Sequence, residues 1–174
     1  RIAGMLASSP HTDFIEALKK DVLPKLKGSF SLVILFEENL IGVRDQFGIR
    51  PLMLGAGPNF YLIAAESAAC NPGAQFVRDI EPGEICIINK NGITQNSWHA
   101  PDSRFCIFEH VYFARPDSRL EGQYAHPTRI RLGEKLAESE EIEADLVIST
   151  PDSGNPASLG FYRALARRGR NDER

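Results

Sequence analysis

Three stretches of this sequence combine residue types and spacing that chemistry can use. The first is Thr150-Pro151-Asp152-Ser153-Gly154. It lies between the apolar run 145–149, read as a buried strand, and the segment 155–168. That segment opens with Asn155 as a natural helix cap and Pro156 in the first helical position. A loop between a buried strand and a capped helix is where α/β sheets place their ligands. The open amides of Ala157 and Ser158 and the helix dipole favour an anion there. The Asp152 carboxylate and the Ser153 hydroxyl are hard oxygen donors suited to Mg²⁺ carried in by a phosphate. The same residue types also make a plain turn, and spacing alone leaves both readings open.

The second stretch is Arg44-Asp45-x-x-Gly48-Ile49-Arg50-Pro51-Leu52, where three charged side chains alternate with Gly and Pro between apolar runs. An Arg and an Asp this close can fix a loop beside a site, or simply build a turn. The third is Cys106, inside Phe105-Cys106-Ile107-Phe108-Glu109-His110-Val111-Tyr112-Phe113-Ala114-Arg115-Pro116-Asp117-Ser118. A cysteine in an apolar run is most often a small buried hydrophobe. An iron–sulfur cluster takes four thiolates, and Cys70 and Cys86 offer no matching spacing, so this chain cannot complete one. The histidines His11, His99, His110 and His126 lack zinc-ligand spacing. No dinucleotide fingerprint, P-loop or Ser–His–Asp constellation can be assembled. Arg163, Arg167, Arg168 and Arg170 crowd the C-terminus, where arginines usually answer the helix dipole and solvent.

The elements that must position these residues follow from pattern and punctuation. Phe14, Leu18, Val22 and Leu26 recur at four-residue steps with Ile15 and Leu23 beside them, an amphipathic helix over 11–27 that Pro24 bends or ends. From 29 to 94 the pattern is that of short strands. Strands at 29–36 and 40–44 flank Glu37-Glu38-Asn39, and strands at 51–54 and 60–65 flank a Gly-Pro-Asn loop. A third pair, 84–88 and 92–95, carries Asn91-Gly92 as its hairpin turn, introduced by Glu81-Pro82-Gly83-Glu84. This is an α+β layout built on antiparallel sheet. The polar stretch 99–103 is a reasonable domain boundary. Beyond it come a helix over 127–140 with Leu132 and Leu136 on one face, the run 145–149, and the helix 155–168, which is the grammar of an α/β sheet.

Composition excludes several classes. The 174 residues are 43% hydrophobic and 25% charged, which argues against disorder. A net charge of -3 provides no basic field for nucleic acid. No apolar run is long enough to span a bilayer, and no signal peptide opens the chain. The odd count of three cysteines argues against a disulfide scaffold and for a reducing, cytoplasmic setting. The chain starts at Arg1, with no Met before Met5, and is expected to be an internal piece of a longer protein.

These residues carry a resemblance. Gly28-Ser29-Phe30-Ser31-Leu32-Val33, Gly42-Val43-Arg44-Asp45-x-x-Gly48-Ile49-Arg50-Pro51-Leu52, Ala65-Glu66-Ser67 and Asp79-Ile80-Glu81-Pro82-Gly83-Glu84 resemble the glutaminase domain of class II amidotransferases. The stretch from Cys106 to Ser118, and then Pro151-Asp152-Ser153-Gly154, resembles the amidophosphoribosyltransferase family within that class. The likeness runs over about residues 28 to 162.

The resemblance implies the later part of an N-terminal-nucleophile glutaminase domain over 1–100. It also implies a linker and the start of an α/β phosphoribosyltransferase domain over 101–174. It implies the first committed step of purine synthesis, in which ammonia from glutamine displaces pyrophosphate from phosphoribosyl pyrophosphate to give 5-phosphoribosylamine. Mg²⁺ and, in cluster-bearing members, a [4Fe-4S] cluster are the implied cofactors. Small-molecule substrates are the implied partners, with no nucleic acid and no membrane, and the parent is expected to be a homo-oligomer.

Residue by residue, Ser153 matches a Mg²⁺ position, with Asp152 beside it on the substrate side, and Cys106 matches one cluster ligand. No catalytic residue carries over, because the family nucleophile is an N-terminal cysteine and this chain begins with Arg1. The chain alone is therefore expected to be inactive. The alternative from another class is a non-catalytic regulatory module that binds phosphoribosyl pyrophosphate. Two stretches depart from the family pattern, Gly122-Gln123-Tyr124-Ala125-His126-Pro127-Thr128 and 163–174, and the latter is expected to fray.

Overall fold

Apolar residues at helical spacing make residues 14–25 helical, as the sequence requires. The computed structural model describes every residue except 71–72, 142–143 and 173–174. Helix α1 is Ile2–Ala7 and α2 is Phe14–Ala17, which continues as a π turn (Leu18–Val22) and a 3-10 turn (Leu23–Lys25). The Asp13 carboxylate caps α2 by accepting the Glu16 N–H at 2.8 Å. Pro24 sits in the 3-10 turn that ends the helical run.

The strands are β1 (Ser31–Phe36), β2 (Asn39–Arg44), β3 (Met53–Ala56), β4 (Tyr61–Ala64), β5 (Gln75–Asp79), β6 (Glu84–Asn89), β7 (Gly92–Ser97), β8 (Arg119–Leu120) and β9 (Gln123–Tyr124). Helix α3 is Ala125–Ser139 and α4 is Gly154–Asp172. Contacts divide the chain into one unit of Arg1–Leu52 and Ile80–Phe105, and another of Met53–Asp79 and Cys106–Arg174.

The first unit is an antiparallel sheet in the order β1-β2-β6-β7 with the α2 run packed on it. Leu18, Val22 and Leu23 bury against Ile41 and Val43 of β2 and Ile85 and Ile87 of β6. Full burial of each large aliphatic side chain stabilises by about 1.5–3 kcal/mol. The β1–β2 loop is Glu37-Glu38, one residue shorter than its pattern suggests, because Phe36 pairs with Asn39. The β6–β7 loop is Lys90-Asn91, so Gly92, at φ 110, opens β7 instead of lying in the turn.

In the second unit β3 lies between β4 and β5, all antiparallel. Strand β5 was not legible as a strand, since its five residues bury little and β3 supplies the pairing that defines it. The Glu121-Gly122 turn joining β8 to β9 has positive φ at both residues, 47 and 79, the signature of a type I′ turn.

Helices α3 and α4 cross through glycine. A Cβ on Gly133 would collide with the Ala157 carbonyl oxygen, and one on Gly160 with the Ile130 carbonyl oxygen. The buried side of α3 is therefore Ala125, Arg129, Gly133 and Ala137, at i, i+4 spacing. Leu132 and Leu136, which share a helix face by spacing, are both exposed. The Arg168 guanidinium donates to the carbonyls of Ala137 and Glu140, closing the C-terminal end of α3.

Three expectations are corrected here. Residues 145–149 form no strand: Leu146 is 73% exposed and Ile148 82%, and no described strand pairs with them. A parallel-sheet strand needs neighbours on its edges before it can bury. Asn155 is not the cap of α4, which begins at Gly154. The helix also runs on to Asp172, past the start of the expected frayed tail; residues 173–174 lie outside the described residues, as does the side chain of Arg170. Where the α/β pattern was expected, the described residues form helices α3 and α4 with no strand between them.

Gly133→Ala should destabilise the α3–α4 pair by about 1–3 kcal/mol, the usual cost of overpacking. Gly169→Ala on the same α4, with nothing within 4 Å of its added Cβ, should instead stabilise by about 0.5–1 kcal/mol. Urea denaturation followed by far-UV circular dichroism reads the opposite signs.

Candidate functional site

The Arg44–Leu52 motif is a loop wrapped around a buried guanidinium. Arg44 ends β2 and donates from Nε to the Arg50 carbonyl (3.0 Å), and from its two terminal nitrogens to Ile80 (2.7 Å) and Gly48 (2.8 Å). Gly48 has φ 57, and its added Cβ would lie 2.6 Å from Pro82 Cγ, so glycine is required on both counts. Asp45 does the complementary work with amides. Its Oδ2 accepts the Phe30 N–H (3.1 Å) and its Oδ1 the Phe47 N–H (2.8 Å), while its carbonyl accepts the N–H groups of Gly48 and Gly83. The Trp98 indole N–H donates to the Arg44 carbonyl at 3.0 Å. Arg44 and Asp45 thus fix this loop through backbone partners.

In the second unit two motifs that lie about fifty residues apart are joined. Glu66 Oε2 accepts the Arg115 N–H (2.8 Å) and the Ser118 hydroxyl (2.7 Å). Ser67 Oγ accepts the Arg119 N–H at 2.6 Å. Arg115 and Asp117 form an exposed two-pronged pair, both contacts at 3.1 Å. The carbonyls of Pro116 and Ser118 then accept the His126 and Ala125 N–H groups, satisfying two open amides at the start of α3.

The apolar segment before that turn is a π turn, Glu109–Phe113, hung on α3 by Arg129. Arg129 is buried and donates to the carbonyls of His110 (2.7 Å), Tyr112 (3.2 Å) and Ala114 (2.7 Å). Burial pulls its guanidinium below the usual value, partly offset by the Glu66 carboxylate. Burial, and then the charges of Arg129 and Arg131, hold the His110 imidazole below its ordinary pKa, so it is neutral at pH 7.

Asp152 is exposed and Ser153 half-buried on the turn at the head of α4. The Gly154 N–H donates to Thr150 (3.2 Å) and the Asn155 N–H to Asp152 (3.3 Å). Because α4 begins at Gly154, the amides of Ala157 and Ser158 fall inside its hydrogen-bond ladder and not at its open end. Asn155 instead accepts the Ser149 hydroxyl through its side chain. Cys106 is a half-buried free thiol just before the π turn; Cys70 and Cys86 are buried free thiols. Among the described residues, no three His, Cys, Asp or Glu side chains converge as a metal-binding group.

Sequence reasoning missed one polar cluster. Asp21 Oδ2 accepts the Ser9 hydroxyl (2.6 Å) and contacts His11 Nδ1 (2.8 Å). Both bonds hold the Asp21 carboxyl below the usual carboxylate range. The serine is bonded to the carboxylate and not to the imidazole, so this is a clasp rather than a nucleophile triad. Arg129 was missed as well; an arginine amid a helical pattern carries no signal that distinguishes it from a surface residue.

Two tests follow from this geometry. Glu66→Ala leaves the Ser118 hydroxyl and the Arg115 amide without their acceptor, and should destabilise by about 1–3 kcal/mol in chemical denaturation. The depressed His110 pKa means that the unfolded chain binds a proton first as pH falls. Stability should therefore decline below pH 6.5, with a slope of at most about 1.4 kcal/mol per pH unit. His110→Phe should remove that component from a stability-versus-pH series.

A glutamine amidotransferase domain family matches residues 7–71. The Mycobacterium tuberculosis protein named amidophosphoribosyltransferase is 40% identical over 161 residues, covering 92% of this chain and 31% of that protein. The Synechococcus elongatus protein of the same name is 43% identical over 145 residues, 80% of this chain and 29% of that protein. Among solved structures, the Bacillus subtilis glutamine phosphoribosylpyrophosphate amidotransferase, complexed with ADP and GMP, superposes with a TM-score of 0.91 at 34% identity. It covers 95% of this chain and 36% of that one. A structure described as the allosteric regulatory enzyme of purine biosynthesis gives a TM-score of 0.90 at 34% identity, over 94% of this chain and 35% of its own. The chain thus spans about a third of the length of the curated relatives it matches. This likeness in sequence and fold to proteins named amidophosphoribosyltransferase runs over nearly all of the chain's residues.

Proposed function

We propose that residues 1–100 form the later part of a glutaminase domain and residues 101–174 the linker and opening of a phosphoribosyltransferase domain. The whole enzyme would hydrolyse glutamine and use the ammonia to make 5-phosphoribosylamine from phosphoribosyl pyrophosphate. The observation that carries this reading is the Glu66 clasp. It unites the two motif segments, 65–67 and 106–118, that the resemblance singled out separately. Transferring ammonia without loss requires a water-excluded path, and such a path depends on fixed irregular segments of this kind.

Within that enzyme the chain supplies framework and one edge of the phosphoribosyl pyrophosphate site. Asp152 and Ser153 offer oxygen donors whose chemistry fits Mg²⁺ delivered by a pyrophosphate, on a turn held by the Thr150 and Asp152 carbonyls. The ion, when bound, neutralises charge on the leaving pyrophosphate. Cys106 fits as a single thiolate ligand of a [4Fe-4S] cluster. Such a cluster takes four thiolates and this chain has three cysteines, so further ligands would come from elsewhere. No residue here acts as the glutaminase nucleophile, and the chain alone is read as inactive. Three free thiols suit the reducing cytoplasm in which we place the parent homo-oligomer. No helix among the described residues is long and apolar enough to cross a membrane.

Grafting residues 7–168 into the matching stretch of the Mycobacterium tuberculosis relative tests the assignment. Glutamine-dependent phosphoribosylamine formation should survive. Ser153→Ala in the chimera should raise KM for phosphoribosyl pyrophosphate with Mg²⁺ more than it lowers kcat. Calorimetry on the isolated chain with the same ligand and Mg²⁺ should show no binding tighter than millimolar. Micromolar, Mg²⁺-dependent binding lost in Ser153→Ala would replace this reading with a free-standing regulatory module.

A further inference from the structure

We propose that a cleft beside Trp98 in the first unit binds a small planar aromatic anion. The cleft is about 400 Å³ and lies between the end of the α2 run and residues 98–99. That volume is within the range of small-molecule sites. Phe30, Phe47 and Trp98 line it, and the Phe30 and Trp98 rings stack with centroids 6.0 Å apart at 28°.

These rings are held in place by the backbone and indole bonds around them. Trp98 is tied through its indole N–H to the Arg44 carbonyl (3.0 Å). Phe30 and Phe47 are tied through their backbone amides to the two oxygens of Asp45. The Phe47 carbonyl also accepts the Arg104 N–H at 2.7 Å. Walls fixed before a ligand arrives reduce the ordering cost of binding it.

The polar groups of the cleft specify charge. Lys27 stands exposed on the lining and makes no ion pair among the described residues. The Gln46 side chain, half-buried on the same lining, makes no hydrogen bond among them. Asp45, the only acid lining the cleft among the described residues, is buried with each carboxylate oxygen engaged by a backbone amide. His99 Nδ1 contacts the Ala100 carbonyl at 2.7 Å, a bond that places the proton on Nδ1 and leaves Nε2 as an acceptor in the neutral ring. Aromatic walls, an uncommitted ammonium and an uncommitted amide together fit a flat ring bearing a carboxylate or a comparable anionic group.

Trp98 is the single tryptophan of the chain, so its fluorescence reports on this cleft alone. The probes are 4-nitrobenzoate, an aromatic anion that quenches indole, and its neutral isostere 4-nitrobenzamide, added to the full chain. The anion should quench saturably, with a Kd below millimolar and about two- to fivefold tighter than the amide. Lys27→Gln, an exposed substitution whose folding is checked by circular dichroism, should erase that difference. Linear quenching equal for both probes would overturn the proposal. Saturation that Lys27→Gln leaves unchanged would overturn it as well.

Discussion

Buried backbone that belongs to neither helix nor sheet must still find donors for its carbonyls, and a single orphaned group costs about 1–3 kcal/mol. Each unit of this protein meets that constraint with one buried arginine. Arg44 donates to three carbonyls of the 48–80 surround, and Arg129 donates to three carbonyls of the π turn and its exit. Guanidinium suits the task because its five donors lie in a fixed planar fork and its charge survives burial. An ammonium in either place would have fewer donors and a charge more easily lost.

The loops so fixed position the rest. With Arg44 in place, Asp45 can collect the amides of Phe30 and Phe47, which holds the start of β1 beside the end of β2. With Arg129 in place, the segment after the π turn meets Glu66 and Ser67 and then delivers its carbonyls to the first amides of α3. Helix α3 in turn sets α4 through the paired glycines Gly133 and Gly160. The Asp152-Ser153 turn is therefore carried on a helix whose placement depends on close backbone approach. Rigid placement of a loop on a framework is what a binding site needs from its surroundings.

The departures from sequence expectation have physical causes. Residues 145–149 look like a buried strand because Leu146, Val147 and Ile148 are apolar. A strand is a property of a pair, though, and among the described residues they have no partner. Strand β5 was overlooked for the converse reason: its own pattern is weak, and β3 defines it. Leu132 and Leu136 share a face of α3 yet stay exposed, because the crossing helix comes close enough to select Ala and Gly on the buried side.

Much was legible in the chain itself, because local rules are written in adjacent residues. The amphipathic run ended by Pro24 and the three hairpin pairings follow from side-chain period, and the motif segments carry the family resemblance. What the tertiary structure decided are the partnerships between residues far apart in sequence. Glu66 with Ser118, Arg129 with the π turn, Asp21 with Ser9 and His11, and the aromatic cleft at Trp98 depend on where the backbone returns. No local pattern records them, since a buried hydrogen bond is specified by the geometry of both partners and a sequence shows each partner alone.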